Sequence, residues 1–241
     1  MADTHTVKSY DDELSQLTSK LLRMGGLAEA QLSLAIQAVV KRDTEAAGEV
    51  IRGDRIIDEH DAEVTAGVTR ILALRQPMAV DLRVVVGALR LAIEIERIGD
   101  YASNIAKRAI ALSQGPAVRP LSAIPRMGTL VSAMIRDVLD ALARRDADGA
   151  KLVWERDEEV DGLYNSLFRE LLTYMLEDPR TITSCTHLLF IAKNIERIGD
   201  HATNIAEEIY FMVKGQRLTE ERPKGDKTAV FAGPDAETER K

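Results

Sequence analysis

Ile95-Glu96-Arg97-Ile98-Gly99-Asp100 returns residue for residue as Ile195-Glu196-Arg197-Ile198-Gly199-Asp200. Between 95–106 and 195–206, ten of twelve positions are identical. Two unrelated amphipathic helices would share apolar classes at intervals, not Glu, Arg, Gly, Asp and Asn in order. The chain therefore reads as one helical unit written twice, with a period of about 100 residues.

Outward from the motif, apolar residues recur at three-four spacing, the mark of helices. A first helix is expected from about Tyr10 to Lys41, striped by Leu14, Leu17, Leu21, Met24, Ala28, Leu32, Ala35 and Val39, with a local bend at Gly25-Gly26. Asp43 should cap a second helix over about 44–74, whose seam is Ala47, Val50, Asp54, Ile57, Asp61, Val64, Val68 and Ile71. Gln76-Pro77 ends it, because the residue before proline avoids helical backbone. The third helix covers about 79–112, with Leu82, Val86, Leu89, Ile93, Glu96, Asp100 and Asn104 expected on one face. After Gly115-Pro116 the pattern restarts. A fourth helix spans about 121–143, a fifth carries Ala150 through Met175 to the break at Asp178-Pro179, and a sixth runs over about 182–213. The fold class is all-α: two tandem three-helix bundles, over 8–114 and 119–215, followed by a polar tail at 216–241 that reads as disordered.

Carboxylates interrupt these apolar lines. Asp54 and Asp61 fall on the seam of the second helix, with Asp58 one turn from Asp54. Glu96 and Asp100 continue the line of Leu89 and Ile93; Asp157 and Asp161, then Glu196 and Asp200, do the same in the second half. Four-residue spacing sets two carboxylates about 5–6 Å apart on one helix face. Burying such a pair without a partner costs several kcal/mol, on the order of 1–3 or more per group. Three readings follow: the acids face solvent, pair with arginine, or hold a metal cation. Arg97 and Arg197 follow the glutamates directly, about 100° around the helix, and are expected to point elsewhere. The metal reading accounts for both the pairing and its duplication, since carboxylates from two facing helices make an oxygen-rich cage for hard cations. Asn104 and Asn204, one turn on, could complete a shell or make buried interhelical hydrogen bonds. Gly99 and Gly199 cost about 1 kcal/mol each inside a helix, which points to close helix approach beside the acids.

Other chemistries find little support. His5, His60, His187 and His201 are isolated, so the Glu-x-x-His pairs of oxygen-activating di-iron bundles are missing. There is no phosphate-binding glycine loop, Ser-His-Asp set or His-Glu-x-x-His. The 241 residues carry a net charge of −7, a poor basis for nucleic-acid binding. Cys185 is the single cysteine, so no internal disulfide forms and a reducing, cytoplasmic location is expected; a small buried residue is the plainer reading of it than a reactive thiol. No apolar stretch reaches membrane-spanning length, and the first residues lack the charged-then-apolar pattern of a signal peptide.

The stretches Ile95 to Asn104 and Ile195 to Asn204, together with Arg75-Gln76-Pro77-Met78-Ala79-Val80-Asp81-Leu82-Arg83, resemble the signature of the PhoU family. The resemblance covers about Tyr10 to Gly215. It implies two three-helix bundles, commonly dimeric, in a cytoplasmic, non-enzymatic negative regulator of phosphate uptake and the phosphate regulon. Its partners would be the ATPase subunit of the phosphate ABC transporter and a phosphate-sensing histidine kinase, with no nucleic acid, and contact with the membrane only through those partners. It further implies divalent or trivalent metal clusters (Fe, Zn, Mn or Mg) on Asp54, Asp58, Glu96 and Asp100 in one bundle, and on Asp157, Asp161, Glu196 and Asp200 in the other. Asp61, Asn104 and Asn204 would be additional shell residues. A carboxylate-bridged metalloenzyme and a metal-free structural bundle are the competing readings.

Overall fold

The structure is a computed structural model describing residues 2–116 and 122–218; the linker start and most of the polar tail lie outside the described residues. The chain forms α1 (Ala2–Lys41), α2 (Thr44–Arg75), α3 (Ala79–Ser113), α4 (Ala123–Arg144), α5 (Ala147–Trp154), α6 (Asp157–Glu177) and α7 (Ile182–Lys214). Helices α1–α3 make one three-helix bundle and α4–α7 the other; α3 packs along α7 and α1 along α4 to join them.

The turns follow from local chemistry. Asp43 accepts from the backbone N–H groups of Glu45 and Ala46, and Asp146 accepts from those of Asp148 and Gly149. The first is the cap expected at Asp43, and the second repeats it one unit on. Arg42 and Arg145, just before them, both take left-handed backbone at φ 54° and 51°.

Three expectations need correction. Helix α1 runs unbroken through Gly25-Gly26. Gly25 serves instead as a contact point, because a Cβ there would collide with Leu139 of α4. The fifth helix is two helices, with Glu155-Arg156 between them, so that Asp157 becomes the first residue of α6. An acidic first residue suits the positive end of a helix. The buried face of α3 also differs in phase. Val85, Ala88, Leu91, Ala92, Ile95, Ile98, Ala102 and Ile105 are in the core, whereas Leu82 and Ile93 are exposed. Leu82, Ile93 and their line mark one edge of that face, and Glu96 and Asp100 stand on the edge rather than in the centre. The α2 seam is as expected: Ala47, Val50, Ile57, Val64, Val68 and Ile71 are all buried. Cys185 is a buried free thiol in the core.

Helices α3 and α7 lie antiparallel, as their cross-contacts show by running in opposite senses. Arg90 pairs with Glu208 at 3.2 Å, Asn204 donates to Glu94 at 2.9 Å, Arg197 sits 5.6 Å from the Tyr101 ring centre, and Arg108 lies 4.0 Å over the Phe190 ring. The repeats thus face each other across a local twofold centred near Gly99 and Gly199.

Candidate functional site

Each carboxylate group arises where the second helix of a bundle crosses its third. In the first bundle, Asp54, Asp58 and Asp61 come from α2 and Glu96 and Asp100 from α3. Gly99 permits the approach: a Cβ there would stand 2.7 Å from Ile57 Cδ1 and 3.5 Å from Asp54 Oδ1. Asp54, Asp61, Glu96 and Asp100 are half-buried, and Asp58 is exposed.

The acids feel one another across the helix pair. Burial raises the Asp54 carboxyl above its ordinary range, with the charges of Asp100 and Asp58 adding to it. Ser103 lies close enough to offset part of that rise, although its buried hydroxyl completes no hydrogen bond of good geometry. Glu96 is raised by burial and then by Asp100, against the opposing Arg97. Asp61 is raised by burial and by Asp58, and its Oδ1 is buried without a hydrogen-bond partner. Arg97 departs from expectation: it folds back to 3.6 Å from Glu96 and 3.2 Å from Asp100. More than half exposed, it stands at the rim, where such a pair contributes about 0–1 kcal/mol.

The second group, from α6 and α7, is deeper. Asp157, Asp161 and Glu196 are 3%, 4% and 5% exposed, the only fully buried acids among the described residues. Glu196 Oε1 accepts from Lys193 Nζ at 2.8 Å, while its Oε2 is buried with no partner. Burial, with the charges of Asp200 and Asp161 added, pushes the Glu196 carboxyl up to about 7 despite Lys193.

All the donors in both groups are oxygens, the right chemistry for a hard cation. Orphaned buried oxygens on Asp61 and Glu196 are sites where a cation would relieve a desolvation cost. Among the described residues, no three Asp, Glu, His or Cys side chains already converge as a ligand set. Like charges four residues apart hold each other off.

Asn204 turns to the first repeat. It donates across the repeats to Glu94 Oε2, which also lies 2.6 Å from His201 Nδ1, and His201 stacks on Tyr101. Asn104 is exposed. Glu94 and His201 carry no periodic signal of their own; only pairing the repeats head to tail brings them together.

The two glycines make opposite predictions. Gly199 meets Val160 and Val131 at ordinary distances of 3.4–3.7 Å, whereas Gly99 meets buried Ile57 at 2.7 Å. Gly199→Ala should raise the unfolding free energy by about 0.5–1 kcal/mol through helix propensity. Gly99→Ala should gain nothing or lose stability, because Ile57 must move. Urea unfolding of both variants checks this, and equal gains would refute it.

Comparison with known proteins agrees with the duplicated fold. The PhoU domain model matches twice, over residues 21–109 and 124–209. The chain belongs to the PhoU family. A PhoU homologue from Caulobacter vibrioides, described as a phosphate-specific transport system accessory protein, is 54% identical over 92% of this chain and 97% of its own length. The corresponding PhoU homologue of Rhizobium meliloti is 47% identical, with 96% and 98% covered. Among solved structures, PhoU from Pseudomonas aeruginosa superposes with a TM-score of 0.83 at 41% identity, covering 86% of this chain and all of that one. The phosphate transport system regulatory protein PhoU from Streptococcus pneumoniae gives 0.82 at 28% identity, with 88% and 100% covered. The PhoU architecture of paired three-helix bundles is thus shared along almost the whole length. No helix among the described residues is long and apolar enough to cross a membrane.

Proposed function

We propose that this protein is a negative regulator of phosphate uptake: a cytoplasmic helical adaptor, without catalytic activity, that works beside the phosphate transporter. The observation that carries this reading is the extent of the likeness. Both repeats and more than nine tenths of the chain match accessory proteins of phosphate-specific transport. Its partners on this reading are the transporter's ATPase subunit and a phosphate-sensing histidine kinase, met by a homodimer. Deleting the gene should raise expression of a phosphate-starvation reporter in high phosphate severalfold. Unchanged expression would overturn the regulatory reading.

The carboxylate groups belong to this reading as cation sites. Asp54, Asp58, Asp61, Glu96 and Asp100 would hold one metal group, and Asp157, Asp161, Glu196 and Asp200 the other. A bound cation would supply positive charge that neutralises the facing acids and ties the second helix of each bundle to the third. The buried, unpartnered oxygen of Asp61 in the first group supports that role. At a metal concentration a thousandfold above Kd, binding should raise the unfolding free energy by about 4 kcal/mol. Glu96→Ala/Asp100→Ala should lose the share due to the first site. Purified protein without stoichiometric metal by elemental analysis, and without a metal-dependent shift in Tm, would remove the cation sites while leaving the regulator standing.

A further inference from the structure

The two carboxylate groups are not copies. Helix α2 maps onto α5 and α6 with an offset of 103 residues. The caps Asp43 and Asp146 correspond, and so do the buried pairs Ala47 and Ala150, Val50 and Val153, Ile57 and Val160, and Val68 and Leu171. Asp54 and Asp58 fall on Asp157 and Asp161. In the same register Asp61 falls on Tyr164. Helix α3 maps onto α7 with an offset of 100, which sets Ile93 on Lys193. The second repeat has therefore exchanged a carboxylate for a phenol and an apolar side chain for an ammonium. The structure brings these two replacements together: Lys193 Nζ lies 5.0 Å from the centre of the Tyr164 ring and donates to Glu196 at 2.8 Å.

We propose that Lys193 is a resident counter-ion that closes the second carboxylate group to metal, leaving the first as the protein's tight cation site. The inference rests on the reading of these acids as cation sites and says which of them fills. In the second group the Glu196 side chain is only 6% exposed, so the ammonium faces an acid with little water to screen the pair. The Tyr164 ring adds a cation–π contact that holds the ammonium in place. A metal ion entering there must displace Lys193 and meets four acids. In the first group the position of Lys193 is taken by Ile93, 48% exposed and without charge, and five carboxylates remain, Asp61 among them with an orphaned oxygen. The cations nearby are Lys107, exposed and felt only weakly by Asp54, and Arg97, 53% exposed at the rim, where solvent weakens it and where it can swing out. Charge and accessibility thus both favour the first group.

Chelator-stripped full-length protein titrated with Mn2+, with free ion read by electron paramagnetic resonance, tests the proposal. Wild type should show tight binding that Asp58→Asn/Asp61→Asn abolishes, and any second class at least about tenfold weaker. Lys193→Ile should tighten the second class by about tenfold or more, and Ile93→Lys should weaken the first by a similar factor. Lys193→Gln repeats the test with a polar side chain if the isoleucine variant misfolds by circular dichroism. Two classes of equal affinity in wild type, unmoved by either lysine substitution, would overturn the counter-ion and leave the cation sites intact. Tight binding that survives Asp58→Asn/Asp61→Asn but is lost in Asp161→Asn would do the same. No Mn2+ bound by wild type or by the lysine variants would overturn the cation reading itself, and this inference with it.

Discussion

Metal-free protein moved from pH 8 to pH 5 should gain stability, by up to about 3 kcal/mol in unfolding free energy. The source is Glu196, whose carboxyl is pushed up to about 7 from an ordinary 4.5, first by burial and then by Asp200 and Asp161. Between those two values the folded chain keeps a proton that the unfolded chain has released. Stability therefore falls as pH rises through this window; the gain is complete below about 4.5 and gone above about 7. Asp54, Asp61 and Glu96 are raised as well and act in the same sense. Glu13, Glu63 and Asp178, lowered by hydrogen bonds from Arg75, Lys20 and Arg180, act in the opposite sense. Their contribution is lost only as pH falls through their depressed values, below the window. Glu196→Gln should flatten most of the pH dependence and exceed wild type in stability at pH 8. Urea unfolding followed by circular dichroism from pH 5 to 8 decides the matter: stability that rises with pH in wild type would refute the assignment.

Trp154→Ala should cost about 3–5 kcal/mol, the largest loss expected from a single substitution here. Trp154 is 2% exposed at the end of α5, and its indole Nε1 donates to Glu207 Oε1 of α7 at 2.8 Å. Truncation opens a cavity and takes from Glu207 a donor fixed in place. Trp154→Phe separates the two effects: most of the packing stays, and the lost hydrogen bond to a charged acceptor should cost about 1.5–3 kcal/mol. A loss below about 1 kcal/mol in urea unfolding would contradict the packing seen here.

Much of this was legible in the sequence. The duplicated motif revealed the repeat, three-four spacing the helices, and Asp43 the first cap. The family resemblance rests on the same residues. What misled was phase on α3. Leu82, Ile93 and Glu96 do share a line, but an α-helix in a bundle buries a broad face, and the Ala-rich line through Ala88, Ala92, Ala102 and Ala106 is the one that lets helices close on it. Small residues contribute weakly to an apolar pattern and strongly to packing. The break before Asp157 was hidden because nothing in Glu155-Arg156 resembles a helix breaker. Arg97 was expected to point away by its angle, yet a long flexible side chain reaches back over a turn. Lys193 and Tyr164 were legible in principle. Aligning the repeats with an offset of 103 in one helix and 100 in the other exposes both, whereas a single period conceals them.

The antiparallel seating of α3 on α7 has a consequence of its own. A homodimer of single repeats would offer any binder two interchangeable poses, one for each sense of its twofold. Here the halves have drifted apart along that axis. Arg90 makes an ion pair with Glu208 at one end, while Arg108 lies over Phe190 at the other, and Glu94 with His201 has no mirrored twin. The waist of the molecule is therefore signed: it has a left and a right. A binder laid on this face would meet different groups in its two opposite senses, so the two poses would differ in energy.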